Sequence, residues 1–328
     1  MRSFWFRATR EVRLSLPLPT VTAVTEWLAL WPWAEGAIIL FGFAWGAMLG
    51  SFINVVVHRL PLGESVVRER SRCPNCRSAI QARDNLPVVG WLLLRGRCRA
   101  CGSGISPVYP LVEATGGLLV ATLAAAELAG GGRWLFHGST GYPLGVDRLL
   151  RGDWQLLVTC CLHAGVALLV LTWALLDRAG WKCPATWLAF PLGLSLLAAG
   201  IMPLAAPPGL MPDGSGWPGA GLGFQGLMAS LAGTAVGGFL GLAGPAASVR
   251  LGLPLLGAVL GWQTLLVVTI VTALATEIGG RCLPGNRRRG DFGLGLTVSA
   301  AFALACQAPL VAVWQGVGKA LFASPING

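Results

Sequence analysis

Long apolar runs alternate with short polar connections along almost the whole chain. The runs are about 17–25 residues, long enough to cross a bilayer as helices. In order they predict spans at roughly 36–58, 108–130, 154–177, 186–204 and 219–243. A short sixth span reaches Gly261, where Trp262-Gln263 marks a turn; a seventh runs to about Gly280, and an eighth begins at Phe292. Between the first two lies a long polar loop, 59–107. Residues 1–35 do not fit this alternation. Arg2, Arg7, Arg10 and Arg13 precede Trp27, Trp31 and Trp33, a pattern of an interfacial segment rather than a signal peptide.

Composition supports a membrane chain. Of 328 residues, 54% are hydrophobic and only 12% charged, about half the charge of a soluble domain. The 46 glycines suit close helix packing in lipid. The net charge of +10 comes mostly from arginine in loops. Nine arginines fall in 59–107; Lys182 and the stretch RCLPGNRRRGD (281–291) supply further cations. Eight spans place all these basic loops on one side, which the positive-inside tendency makes cytoplasmic. The charge therefore reads as membrane orientation, and nucleic-acid binding is excluded for want of a soluble basic face. No internal repeat and no low-complexity tract stands out.

The polar loop carries Cys73-Pro-Asn-Cys76 and Cys98-Arg-Ala-Cys101, with 21 residues between the pairs. Cys73, Cys76, Cys98 and Cys101 can place four thiolates around one tetrahedral zinc ion. A reducing cytosol argues against disulfides there. Four thiolates leave no open position for water, so the metal is structural. The fold expected is all-α: a polytopic membrane bundle of about eight transmembrane helices with a small cytoplasmic zinc-ribbon loop. Cys160, Cys161, Cys183, Cys282 and Cys306 lie in or beside apolar segments and read as buried thiols packing as small hydrophobes.

From Gly46 to Gly117 the chain resembles the bacterial type IV prepilin peptidases, polytopic inner-membrane enzymes of aspartic peptidase family A24. The residues that carry the resemblance are GAMLGSFINVVVHRLP (46–61), CPNC (73–76), DNLPVVGWLLLRGRCRAC (84–101) and ISPVYPLVEATGG (105–117). The resemblance implies cleavage of basic leaders from type IV prepilins or pseudopilins at the cytoplasmic face. It also implies methylation of the new amino terminus from S-adenosylmethionine. The chain then divides into the interfacial segment 1–35, an N-methyltransferase-like region 36–130 around the zinc loop, and a peptidase-like membrane domain 154–318.

Later stretches are similar to the same family. LLDRAGWKCPATWLAFPLGL (175–194) resembles the segment bearing the first catalytic aspartate, which makes that residue Asp177. LPLLGAVLGWQTLL (253–266) resembles the helix after the family's GxGD motif. That register puts the motif at about 246–249, where Ala246-Ala247-Ser248-Val249 stands, with Leu251 at the place of the following lysine. An aspartic peptidase needs two carboxylates about 3 Å apart sharing one proton. Asp291, after the RRRG run, is the candidate second acid, and Glu277 a third carboxylate; an acid at Asp291 also suits a helix start. Glu113 is either a snorkelling interfacial residue or part of the methyl-donor site. His58 caps the inner end of the first span. His137 and His163 have no partner at ligand spacing. Three readings remain: a leader peptidase and N-methyltransferase, a degenerate member that binds prepilins or assembly factors without cleaving them, and a methyltransferase alone.

Overall fold

The computed structural model describes residues 33–68, 70–130, 145–150, 152–202, 222–242, 246–282 and 291–305. The expected segment 1–35 thus lies almost wholly outside the described residues. So do His137, Cys306, the arginines of 283–290, and the side chains of Glu277 and Asp291.

The first apolar run is helix α1 (Trp33–Arg59), extended by a 3-10 turn at Leu60–Leu62. In the polar loop a 3-10 turn (Ala82–Asp84) precedes the short helix α2 (Val89–Leu93). The second span is α3 (Val108–Leu123), which runs on as a π-helical segment, Ala124–Ala129. The short α4 (Gly145–Leu150) leads to α5 (Trp154–Arg178). A 3-10 turn at Ala185–Leu188 opens α6 (Ala189–Ile201), followed by α7 (Leu222–Leu242), α8 (Ala247–Cys282) and α9 (Asp291–Ala305). Four helices among the described residues are long and apolar enough to cross a membrane: Trp33–Leu62, Val108–Ala129, Trp154–Arg178 and Phe224–Leu242. Shorter apolar helices cover Ala185–Ile201, Ser248–Gly261 and Thr264–Leu274. Among the described residues there is no strand; two isolated bridges lie in the cysteine loop. The architecture is an all-α membrane bundle.

The sixth and seventh spans form one continuous α8 broken at Gly261, whose φ of 73° and ψ of 165° belong to a region only glycine enters readily. The turn anticipated at Trp262-Gln263 is thus a glycine kink.

Glycine seams hold the helices in pairs. A Cβ on Gly46 of α1 would lie 2.3 Å from the Gly116 carbonyl oxygen of α3, and one on Gly50 would lie 2.8 Å from the Glu113 Cα. A second seam joins α7 to α8. There a Cβ on Gly233 would meet the Gly257 carbonyl at 2.0 Å, and one on Gly237 the Leu253 carbonyl at 2.2 Å. Small residues let backbones approach where lipid offers no hydrophobic drive for association. Pro254 has no N–H to give the Arg250 carbonyl, and Gly241 packs against that carbonyl. Ser230 adds an interhelical bond, its hydroxyl donating to the Ala258 carbonyl at 2.7 Å.

Helix α5 lies between the two seams. Its Val170, Trp173 and Leu176 are fully buried, in one core with Leu119 and Leu123 of α3, Leu253, Leu256 and Leu260 of α8, and Leu296 of α9. Cys160 and Cys183 are buried as expected of small hydrophobes, whereas Cys161 is exposed. It is adjacent to Cys160 on α5 and so points some 100° around the helix.

Candidate functional site

The two cysteine pairs form matching knuckles. In each, the first cysteine's N–H donates to the serine carbonyl five residues on: Cys73 to Ser78 at 3.0 Å, Cys98 to Ser103 at 2.8 Å. The residue four on donates back to the first cysteine: Arg77 to Cys73 at 2.9 Å and Gly102 to Cys98 at 2.9 Å. That fourth position needs a left-handed backbone, and Arg77 (φ 57°) and Gly102 (φ 71°) both supply it. The bridges Arg72–Ala79 and Arg97–Gly104 close the two turns. CPNCRSAI and CRACGSGI are therefore an eight-residue repeat. The shared Cys, Cys, Ser and Ile spacing was the available signal, too short to register as a repeat of the chain.

All four thiol sulfurs lie within 4.8 Å of one another. Cys73 Sγ and Cys101 Sγ are 3.9 Å apart. A tetrahedron with zinc–sulfur bonds of about 2.3 Å has an edge of about 3.8 Å, so the cluster has the size of a zinc shell. Cys73 is buried and Cys76 exposed. Hydrogen bonds from the Ser78 side chain and backbone lower the Cys76 thiol to about 6. The backbone N–H groups of Cys101 and Ala100 lower Cys98. A Ser103 backbone bond pulls Cys101 down, but Cys76, burial, Cys98 and Cys73 push it up to about 11. Four sulfurs this close cannot all ionise without a cation between them, which a divalent metal held by the four would supply.

The loop is locked to itself and to the spans. Arg99 grips Asp84 with two bonds, Nε to Oδ2 at 2.8 Å and Nη2 to Oδ1 at 2.6 Å, and holds that carboxyl below its usual range. Gly90 packs on the Asp84 carbonyl, 2.2 Å from where its Cβ would stand. The Trp91 indole N–H donates to the Ile105 carbonyl at 3.0 Å, with Gly96 beneath the ring. The Asn54 amide of α1 donates to the Tyr109 carbonyl of α3 at 3.0 Å. His58 sits exposed in the last turn of α1, the helix end expected for it.

Glu113 has a partner in the loop. Its Oε2 accepts the Val88 N–H at 2.6 Å. Val88 has φ 61° and ψ −53°, and the Val89 N–H bonds the Pro87 carbonyl at 2.6 Å. This is a positive-φ γ-turn, a rare and strained form, centred on a β-branched residue. Such strain costs about 1–3 kcal/mol, and a hydrogen bond to a charged group contributes about 1.5–3 kcal/mol. One carboxylate bond is thus of the size needed to hold the turn.

Asp177 ends α5. Its Oδ2 accepts the Ser248 N–H at 2.5 Å, in the first turn of α8. The acid therefore faces the stretch where sequence spacing placed the missing motif, one residue before the expected position. Ser248 is fully buried with its Oγ unpartnered, and Val249 is buried in the core. The neighbouring Cys183 thiol is pushed up to about 12 by burial and then by Asp177. An apolar cleft of about 330 Å³ opens nearby, lined by Leu111 and Thr115 of α3, Leu171, Leu175 and Arg178 of α5, and Val298 of α9. Asp291 begins α9.

One polar pair escaped sequence reasoning. His163 Nδ1 lies 2.7 Å from Glu127 Oε1, and both side chains are buried. Glu127 Oε2, His163 Nε2 and Thr159 Oγ1 have no hydrogen-bond partner. Glu127 lies in the π-helical segment, whose extra residue per turn no apolar periodicity reveals.

Comparison with known proteins fits this geometry. Residues 44–126 match the model of the bacterial Peptidase A24 N-terminal domain. A prepilin leader peptidase/N-methyltransferase of Myxococcus xanthus is 52% identical over 80 residues, 24% of this chain and 24% of the relative. One of Klebsiella pneumoniae is 45% identical over 107 residues, 30% of this chain and 46% of the relative. These two matches span less than half of the relatives' own length. One of Aeromonas salmonicida is 29% identical over 283 residues, 76% of this chain and 81% of the relative. No solved structure matches the chain. The resemblance to prepilin peptidases holds, with the highest identity in the shorter matches.

Proposed function

We propose that the chain is a membrane-embedded prepilin leader peptidase/N-methyltransferase-like protein. It acts on basic leaders of type IV prepilins or pseudopilins at the cytoplasmic face of a bacterial inner membrane. It methylates the new amino terminus with S-adenosylmethionine as donor. The observation that carries this reading is the cysteine loop, whose DNLP, LRGRCRAC and YPLVE stretches interlock through Asp84–Arg99, Trp91–Ile105 and Val88–Glu113. Those are the stretches of the motif resemblance, and they fall within the matched domain.

Cys73, Cys76, Cys98 and Cys101 would hold zinc, which cross-links the two knuckles and supplies no catalytic position. Asp177 is the candidate acid for leader cleavage, and Asp291 the candidate partner. A dyad needs one carboxylate as base on water and a protonated one as acid on the carbonyl.

A second reading, methyl transfer without cleavage, is favoured by one specific contact: an oxygen of Asp177 is engaged by the Ser248 amide. The test is purified protein with a synthetic prepilin and isotopically labelled S-adenosylmethionine. Cleavage and methylation support the bifunctional reading. Methylation only of a pre-cleaved peptide supports the second. Neither product, from protein retaining its zinc, defeats both.

A further inference from the structure

We propose that Glu113 is a positioning residue for methyl transfer: its carboxylate holds the Val88 turn, and with it α2 and the second cysteine knuckle, against the end of α3. This rests on the methyl-transfer reading above.

The turn is not one that this segment would keep unaided. Val88 is β-branched and sits at φ 61°, where such a side chain meets its own backbone. Its geometry already commits the Pro87 carbonyl to the Val89 N–H, at 2.6 Å. The Val88 N–H then points out of the turn, where Glu113 Oε2 accepts it at 2.6 Å. Observed strain of this kind marks an arrangement that the surrounding fold maintains.

Glu113 itself has a fixed base. Its Cα abuts Gly50 of α1, at a separation that leaves no room for a Cβ there. The seam between the two spans thus sets where the carboxylate stands. From Val88 the chain enters α2 directly. Trp91 of that helix bonds the Ile105 carbonyl and covers Gly96, two residues before Cys98. The Leu92 N–H bonds the Val88 carbonyl at 3.1 Å, so the turn also starts the helix. One side chain on a membrane span therefore sets the height and tilt of half of the metal loop. A residue reaching for the interface would leave its carboxylate to water and would not require a strained partner.

The experiment uses the full chain in nanodiscs and four variants: Glu113→Ala, Glu113→Gln, Val88→Gly and the double variant Glu113→Ala/Val88→Gly. Amide exchange over 86–93 reads the latch. Transfer of labelled methyl from S-adenosylmethionine to a pre-cleaved pilin peptide reads its use. Alanine should abolish protection at Val88 and reduce transfer about tenfold or more, with zinc content unchanged. Glutamine keeps an acceptor oxygen and should stay close to the unaltered protein in both. Glycine at 88 adopts positive φ without strain and should recover much of what alanine loses. Full protection and full transfer in Glu113→Ala would overturn the proposal. So would a Glu113→Gln protein that keeps protection but loses transfer, since the charge and not the position would then matter. If the unaltered chain transfers no methyl group, the functional reading fails. The exchange arm still decides whether Glu113 holds the turn, because only that contact distinguishes alanine from glutamine.

Discussion

One oxygen of the Asp177 carboxylate is occupied by the Ser248 amide, at the start of a helix whose own N–H groups favour a negative charge. An acid on residue 248 would start from the position whose amide already touches Asp177, and a proton shared between the two carboxyls would make a dyad. Ser248→Asp is therefore expected to raise leader cleavage above the unaltered chain, and Asp177→Asn in that background to abolish it. Val249→Asp, which buries a charge among apolar side chains, should lower stability instead. Mass analysis of a prepilin digest checks the first two and thermal unfolding the third, and recovery of cleavage by Val249→Asp alone would restore the register read from spacing. At the knuckles, about one zinc per chain is expected by metal analysis, with less in Cys98→Ser. Zinc should be lost on acidification, because binding requires thiolates and releases their protons. The cysteine cluster was legible because metal chemistry depends on residue type and spacing; Asp177 is singled out only by the resemblance of its segment. The Ser248 contact and the Glu113 bond were not, since each joins residues distant in the chain through a backbone amide that carries no sequence signature.

Among elements, the helix order followed directly from apolar run length, down to the break at Gly261. The pairing of helices did not, because glycines occur throughout and only the packed bundle shows which of them face a neighbour. Gly46→Val would drive methyl groups into the Gly116 carbonyl and should destabilise the α1–α3 pair by about 1–3 kcal/mol or more. Thermal unfolding in detergent measures it, and an unchanged midpoint would mean that the seam is not a principal contact. The buried Glu127–His163 pair makes a sharper case. Removing one partner of a buried hydrogen bond leaves the other polar group unsatisfied at about 1–3 kcal/mol, whereas replacing both with apolar residues is often nearly neutral. Glu127→Leu or His163→Leu alone should thus lower the unfolding midpoint, and the double change should recover it. Equal losses in all three would mean that the two side chains act independently.

For the whole molecule, orientation is the quantity that the arginines bear on. Residues 59–107 and 281–291 are expected on the cytoplasmic side. Cysteine labelling in intact cells should leave a reporter at Arg95 or Arg288 unreactive until the membrane is opened; reaction from outside would invert the topology. The two glycine seams carry a further consequence. Each joins helices from one half of the chain: α1 with α3, and α7 with α8. Each half can therefore zip up before it meets the other, and α5 then docks against both through side chains rather than backbone. A chain cut within 131–144 should accordingly behave as a two-piece kit. Co-expressed fragments 1–140 and 141–328 are expected to copurify through a tag on either piece, and the N-terminal piece alone to retain the metal.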